Sequence, residues 1–79
     1  MKNPNFPKIH SPQVAVVIAE RATGIVVLPD KIRVKNDKRL FQIFDSLEKA
    51  ESFVRDSGLL GEFEFSIYSA EGALIKFTE

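Results

Sequence analysis

The chain has 79 residues, and a domain of this size buries only about 63% of its unfolded surface, so we expect one small core and little room for a deep pocket. With 44% hydrophobic residues, seven Phe and no Cys, the composition excludes a disordered chain, disulfides, zinc–thiolate sites and cysteine nucleophiles. The formal net charge is zero, from 11 basic and 11 acidic residues, which excludes a uniformly charged surface.

The zero net charge results from a cancellation between the two halves of the chain. Residues 1–44 carry eight basic and three acidic side chains, a net charge of +5, and residues 45–79 carry three basic and eight acidic ones, a net charge of −5. The protein is therefore electrically asymmetric along its sequence.

The N-terminal residues 1–12 are predicted to form an extended, proline-rich arm ahead of a single α+β domain at residues 13–79. Pro4, Pro7 and Pro12 each remove an amide donor and favour extended geometry in the preceding residue. Phe6 and Ile9 offer apolar groups that can pack on the domain, although an exposed arm is the usual outcome at a terminus. This segment lacks the apolar run of a signal peptide, and no stretch is long enough to span a bilayer, so we expect a cytoplasmic protein without membrane contact.

The first regular element is compatible with either a strand or a helix. Ser11, Pro12 and Gly24 stand where a helix cap, a first helical residue and a helix stop would be. The β-branched residues that follow Val14, and the Ala-Thr-Gly turn, favour a hairpin instead. We predict a strand here and a second strand at residues 24–28, with Pro29-Asp30 as a bend or bulge.

A basic hairpin is predicted next. Lys31, Arg33 and Lys35 alternate with apolar residues, which places the three cations on one face of a strand. After a turn at residues 36–37, the return strand spans Arg39 to Phe44. Its even-numbered residues Leu40, Gln42 and Phe44 share one face, Phe41 and Ile43 share the other, and this apolar character on both faces suggests a central strand.

A helix and two further strands complete the chain. Asp45 is the predicted N-cap of a capping box with Glu48, the apolar helix stripe is Leu47, Ala50, Phe53 and Val54, and Gly58 ends the helix. Residues 62–68 alternate strictly, with Phe63, Phe65 and Ile67 facing inward. The last strand spans residues 73–77, with Ile75 and Phe77 assigned to the same inward set.

These elements predict an α+β two-layer sandwich of order ββ(β)αββ, in which an antiparallel sheet of four to five strands carries one helix on one face. One helix covers only one side of such a sheet. The pattern assigns Leu40, Phe44 and Tyr68 to the uncovered face, which makes them candidate interaction residues.

No catalytic, metal or cofactor site is predicted. The single histidine, His10, lies in the arm without a partner nucleophile or a second metal ligand. Glu62 and Glu64 have the spacing of a paired-carboxylate site but belong to a predicted flat, solvated strand face. Because the four glycines are explained by turns and helix ends, no phosphate-binding loop remains. We therefore predict a protein that is not an enzyme.

The basic hairpin has three possible interpretations. Its cations, Lys31, Arg33, Lys35, Lys38 and Arg39, can form cross-strand pairs with Glu62 and Glu64, contact a protein partner, or follow a nucleic-acid backbone. The first interpretation is favoured because charged rows on strands are usually solvated faces.

Residues Gly24 to Arg33, with the sequence GIVVLPDKIR, resemble the G-x-V-x-L-P-x-x-I-R signature of the swapped-hairpin transition-state regulators, which are dimeric bacterial DNA-binding proteins. The resemblance covers ten residues and implies contacts to the DNA backbone by Arg21, Lys31 and Arg33. The family continues into a short helix and a Gly-Asp turn, whereas Val34 to Asp37 here continue a strand pattern.

The leading functional prediction is a small protein-interaction module that self-associates or binds a protein partner through the uncovered sheet face or an edge strand. The alternative is a nucleic-acid-binding, transcriptional-regulator-like protein that uses the basic hairpin at residues 31–39.

Overall fold

The structure of the protein is a computed structural model that describes residues 6–28, 32–33, 40–59 and 61–78. The chain order is β1 (Val14–Glu20), β2 (Val26–Val27), β3 (Gln42–Phe44), α1 (Leu47–Asp56), β4 (Phe63–Tyr68) and β5 (Leu74–Thr78). The strands form one antiparallel five-stranded sheet that carries the helix. The predicted α+β sandwich is confirmed.

Strand β1 lies in the middle of the sheet. One of its edges pairs with β4, and the other pairs with β3 along its first half and with β2 along its second half. The ambiguous first element is therefore a strand, as its β-branched residues favour. Strand β5 pairs with β4 and forms the outer edge of the sheet within the described residues.

The main core lies between the sheet and the helix. Alternate residues of β1 and β4 point to this side, which we call the helix face, and pack against Ala50 and Val54 of α1. Phe65, at the centre of β4, is fully buried and packs edge-on to Phe53 of the helix, with ring centroids 6.5 Å apart. The strict alternation that the sequence shows in β4 is confirmed.

The helix begins one residue later than the capping box predicts. Ser46 is the N-cap, and its Oγ accepts a hydrogen bond from the Lys49 amide at 3.2 Å. Asp45 instead accepts a 3.5 Å contact from the Lys49 ammonium. Asp45 is thus corrected from cap to ion-pair partner, because Ser46 has the extended backbone that a cap requires. Gly58 follows the C-cap with φ +74°, as its assignment as the helix stop predicts.

The opposite side of the sheet, the far face, has a smaller core of its own. Ala15, Leu40 and Phe41 are buried there, and Phe6 and Ile9 from the N-terminal segment pack against them. The Phe6 ring lies 5.1 Å from that of Phe41 and 6.3 Å from that of Tyr68, both in edge-to-face geometry. Residues 6–9 therefore cover part of the face that the sequence leaves uncovered.

Two face assignments made from the sequence are wrong. Phe44 pairs with Val14, so it lies on the helix face, where its ring is 4.9 Å from that of Phe53. Phe77 pairs with Ser66 and therefore lies on the far face instead of facing inward. The cause in β5 is a register shift between Ile67 and Tyr68, which changes the side on which the alternating residues of the hairpin point.

Candidate interaction surface

Most of the predicted basic hairpin lies outside the described residues. Lys31, Lys35, Lys38 and Arg39 are in this group, and their predicted roles remain predictions. Arg33 is described, and its backbone forms a β-bridge with Val27, which places it along the outer side of β2.

The Arg33 guanidinium forms a two-point contact with Glu20 at the end of β1. Its Nε and Nη2 each donate to one Glu20 carboxylate oxygen at 3.0 Å, and Thr23 Oγ1 donates to the same carboxylate at 2.7 Å. These hydrogen bonds favour the charged carboxylate and therefore lower the pKa of Glu20. The bond from Arg33 has the larger effect, and the bond from Thr23 the smaller one. The sequence predicts that Arg33 pairs with Glu62 and Glu64. In the structure Arg33 pairs with Glu20 instead, because residue 33 lies beside β2.

The three apolar candidates have different environments. Leu40 belongs to the buried far-face cluster, and Phe44 packs under the helix. Tyr68 is half-buried on the far face beside Phe6. Leu40 precedes the first residue of β3, so the strand alternation that grouped it with Phe44 does not extend to it. Burial leaves Leu40 and Phe44 little surface for a partner.

The largest group of exposed apolar side chains among the described residues is on β5, where the sequence assigned Ile75 and Phe77 to the inward set. Leu74 is 56% exposed, Phe77 49% and Ile75 45%. We call these three residues the β5 patch. Because folded monomers rarely expose clustered large apolar side chains without a reason, the patch is the strongest interaction candidate among the described residues.

The exposure of Phe77 has a geometric cause in the neighbouring strand. Its partner across the β4–β5 pair is Ser66, and the next residue across the sheet is Val17. Neither side chain is large enough to cover an aromatic ring, and Phe6 lies one cross-strand row away, beside Tyr68. Phe77 therefore keeps half of its surface in water.

The edge itself is available for strand pairing. Among the described residues, strand β5 pairs only with β4, so on its other side alternate residues present N–H and C=O groups to which no described strand is paired. Lys76 does not shield this edge with a free charge, because its ammonium contacts Glu51 Oε2 of the helix at 2.6 Å. The charge beside the β5 patch is therefore compensated by the Glu51 carboxylate.

The described residues contain no helix long and apolar enough to cross a membrane. They also contain no group of three or more His, Asp or Glu side chains arranged to hold a metal ion. Comparison with protein-family models, curated proteins and solved structures returned no match to this chain. The surface chemistry of the molecule is therefore the basis for a functional assignment.

Proposed function

We propose that the protein is a small, non-enzymatic interaction module that self-associates through the β5 patch and the adjoining strand edge. The observation that carries the proposal is the coincidence of three half-exposed apolar side chains with the edge of β5 that no other described strand pairs with. An edge strand supplies directional hydrogen bonds and an apolar row supplies burial, which together are the requirements for strand addition.

The size of the patch sets the strength of the contact. Fully burying a Leu, Ile or Phe side chain contributes about 1.5–3 kcal/mol, and the three patch residues are already about half buried. Two copies would then gain roughly 4–9 kcal/mol of gross stabilisation from the patch, against an association cost of about 4–15 kcal/mol. Because these two ranges overlap, we expect at most a weak dimer that forms at high protein concentration, with edge hydrogen bonds adding a small further stabilisation.

Sedimentation equilibrium over a range of protein concentrations tests the proposal. We expect a reversible monomer–dimer equilibrium for the native chain, and an increase in Kd of about tenfold or more for Phe77→Ser, because the largest exposed patch side chain is lost. Ile32→Ser is the matched control, since Ile32 is 57% exposed but lies beyond β2. A native chain that stays monomeric at millimolar concentration would refute self-association.

A second control separates an edge contact from stacking of two far faces. Ile43 is 40% exposed and pairs with Ala15 on the far face, three strands away from β5, a distance of about 14 Å at the normal strand spacing. We expect Ile43→Ser to leave the Kd unchanged. An equal effect of Ile43→Ser and Phe77→Ser would assign the contact to the whole face and contradict the edge.

The nucleic-acid alternative makes a separate prediction. Gel-shift titration with generic DNA and RNA at about 50 mM salt would show binding that weakens on substitution of Lys31, Arg33 and Lys35 by Ala, because phosphate contacts release counterions. Under the interaction-module proposal we expect no shift. A salt-dependent shift that these substitutions abolish would favour the alternative.

A further inference from the structure

We propose that the far face carries a docking site for an extended peptide segment that has an aromatic residue followed, three positions later, by an aliphatic one. Residues 6–9 of the chain, which we call the strap, occupy this site from within the molecule. A partner segment of the same chemistry binds by displacing the strap. The inference is independent of the proposed self-association, because it concerns the covered corner of the far face and not the β5 patch.

The strap contacts the far face through two side chains. Phe6 and Ile9 are half-buried and pack against the buried far-face cluster, whereas Lys8 between them is exposed. The Phe6 ring meets the rings of Phe41 and Tyr68 at interplanar angles of 75° and 80°, an edge-to-face geometry that aromatic pairs favour. The surface therefore selects an aromatic and an aliphatic side chain three positions apart, and it leaves a residue between them free to vary.

The sequence of the strap prepares its backbone for docking. Pro7 fixes its own φ angle and favours extended geometry in Phe6, and the strap forms neither a helix nor a strand. A segment whose backbone is already extended loses little conformational entropy when its side chains dock. Proline-containing segments are recognised by aromatic surfaces on this principle, so the strap has the character of a short peptide ligand.

The backbone of the strap is not tied to the sheet. Among the described residues, no hydrogen bond joins residues 6–9 to a strand. A turn follows the strap, where the Gln13 amide donates to the His10 carbonyl at 2.8 Å and the His10 amide donates to Gln13 Oε1 at 3.0 Å. The strap can therefore leave the far face as a local opening, without breaking this turn or the hydrogen bonds of β1.

An opened site favours refilling by either the strap or a partner. Without the Phe6 ring, part of the Phe41 and Tyr68 rings is exposed to water, which is unfavourable for apolar surface. The strap is covalently attached, and this gives it an effective concentration in roughly the millimolar range. It therefore lowers the apparent affinity for a partner segment in proportion to the fraction of molecules in which the site is open. The strap acts as an autoinhibitory contact.

Tyr68 is a built-in reporter for the site. It is the only Tyr in a chain without Trp, and its ring lies 6.3 Å from that of Phe6. Quenching of its fluorescence by acrylamide therefore measures whether the site is covered. The test uses the full chain at low micromolar concentration, where self-association does not contribute. The probe is a synthetic peptide with the sequence of residues 3–11, which contains no Tyr.

The double variant Phe6→Ser/Ile9→Ser empties the site, and Lys8→Ser is the matched control at an exposed position. We expect the quenching constant of Tyr68 to rise about twofold in the double variant and to stay unchanged in the control. The peptide should restore the protection of Tyr68 in the double variant with a saturable titration, and it should bind the native chain about tenfold more weakly. A peptide that carries the same two serine substitutions should not bind.

Circular dichroism and urea denaturation establish that the double variant is folded, and Phe6→Ser alone replaces it if it is not. The inference is overturned if the peptide gives no saturable protection, if both peptides protect equally, or if the native chain and the variant bind equally well. Failure of both variants to fold would also overturn it, because the strap would then be an integral part of the core. Sedimentation of the native chain tests self-association separately from all of these outcomes.

Discussion

The two faces of the sheet differ in how completely they are covered. On the helix face, residues from β1 and β4 alternate regularly and meet Ala50 and Val54 of α1, so a continuous core forms. On the far face, a short N-terminal segment covers one corner, where Phe6 packs against Phe41, and Leu74 and Phe77 stay half-exposed. The contrast shows that the ten-residue helix covers one face of the sheet, whereas residues 6–9 cover only part of the other face.

Because the two faces are covered to different extents, we assign folding stability mainly to the helix face and association mainly to the exposed part of the far face. We expect substitutions on the helix face to change the free energy of unfolding, and substitutions at the exposed part of the far face to change association.

The largest difference is expected between two phenylalanines on opposite faces. Phe65→Ala removes a fully buried ring and should lower the free energy of unfolding by about 3–5 kcal/mol, through lost burial and a cavity. Phe77→Ala, at a half-exposed position, should cost less than about 1 kcal/mol at low protein concentration, where the chain is monomeric. Urea denaturation of both variants measures the comparison, and similar losses would contradict the separation of roles.

The N-terminal segment should contribute an intermediate amount. Phe6 is half-buried and packs against the rings of Phe41 and Tyr68, so Phe6→Ala should lower the free energy of unfolding by about 1.5–2.5 kcal/mol. Lys8→Ala, an exposed neighbour in the same segment, serves as the control and should have almost no effect. If Phe6→Ala matched the control in urea denaturation, the segment would not be a structural cover.

The helix cap should have a smaller effect. Ser46→Ala removes the acceptor for the Lys49 amide and should cost about 1 kcal/mol. Asp45→Ala removes an exposed ion pair at 3.5 Å and should cost less than about 0.5 kcal/mol. A larger loss for Asp45→Ala in thermal denaturation would restore Asp45 as the cap.

The smallest effect is expected from the Glu20–Arg33 pair. Because the pKa of Glu20 is lowered from its ordinary value of 4.5 in the folded chain, its contribution to stability is present above that value and is lost as the pH falls through the folded pKa. The wild type should therefore be more stable than Glu20→Gln at pH 7, and the difference should diminish at acidic pH. Urea denaturation at several pH values measures this, and a difference that grew on acidification would contradict the assigned pairing.

Local sequence patterns predicted the elements where the interactions are local. The alternation in β4, the apolar stripe of α1 and the stop at Gly58 each depend on neighbours within a few residues, and each is confirmed. The cap was displaced by one residue, because both Asp45 and Ser46 are good caps and the backbone geometry decides between them.

The candidate surface was assigned less well, for reasons of register. Phe44 alternates with Ile43 as the sequence predicts, but which of the two rows meets the helix depends on the pairing of Phe44 with Val14, and this long-range register is not visible in the local pattern. Phe77 was placed by counting through a bulge, and one additional residue transfers the following side chains to the other face. Two residues that the sequence placed inward, Ile75 and Phe77, therefore lie in an exposed apolar row at the edge of the described sheet.

An antiparallel sheet with a single covering helix follows from the local pattern of residues, because periodicity and capping residues specify the type of each element. Three features depend on the folded structure: which apolar side chains remain in water, which carboxylate Arg33 contacts, and how much of the far face residues 6–9 cover. These outcomes depend on contacts between segments far apart in the chain, where the register and a single bulge determine which side chains meet.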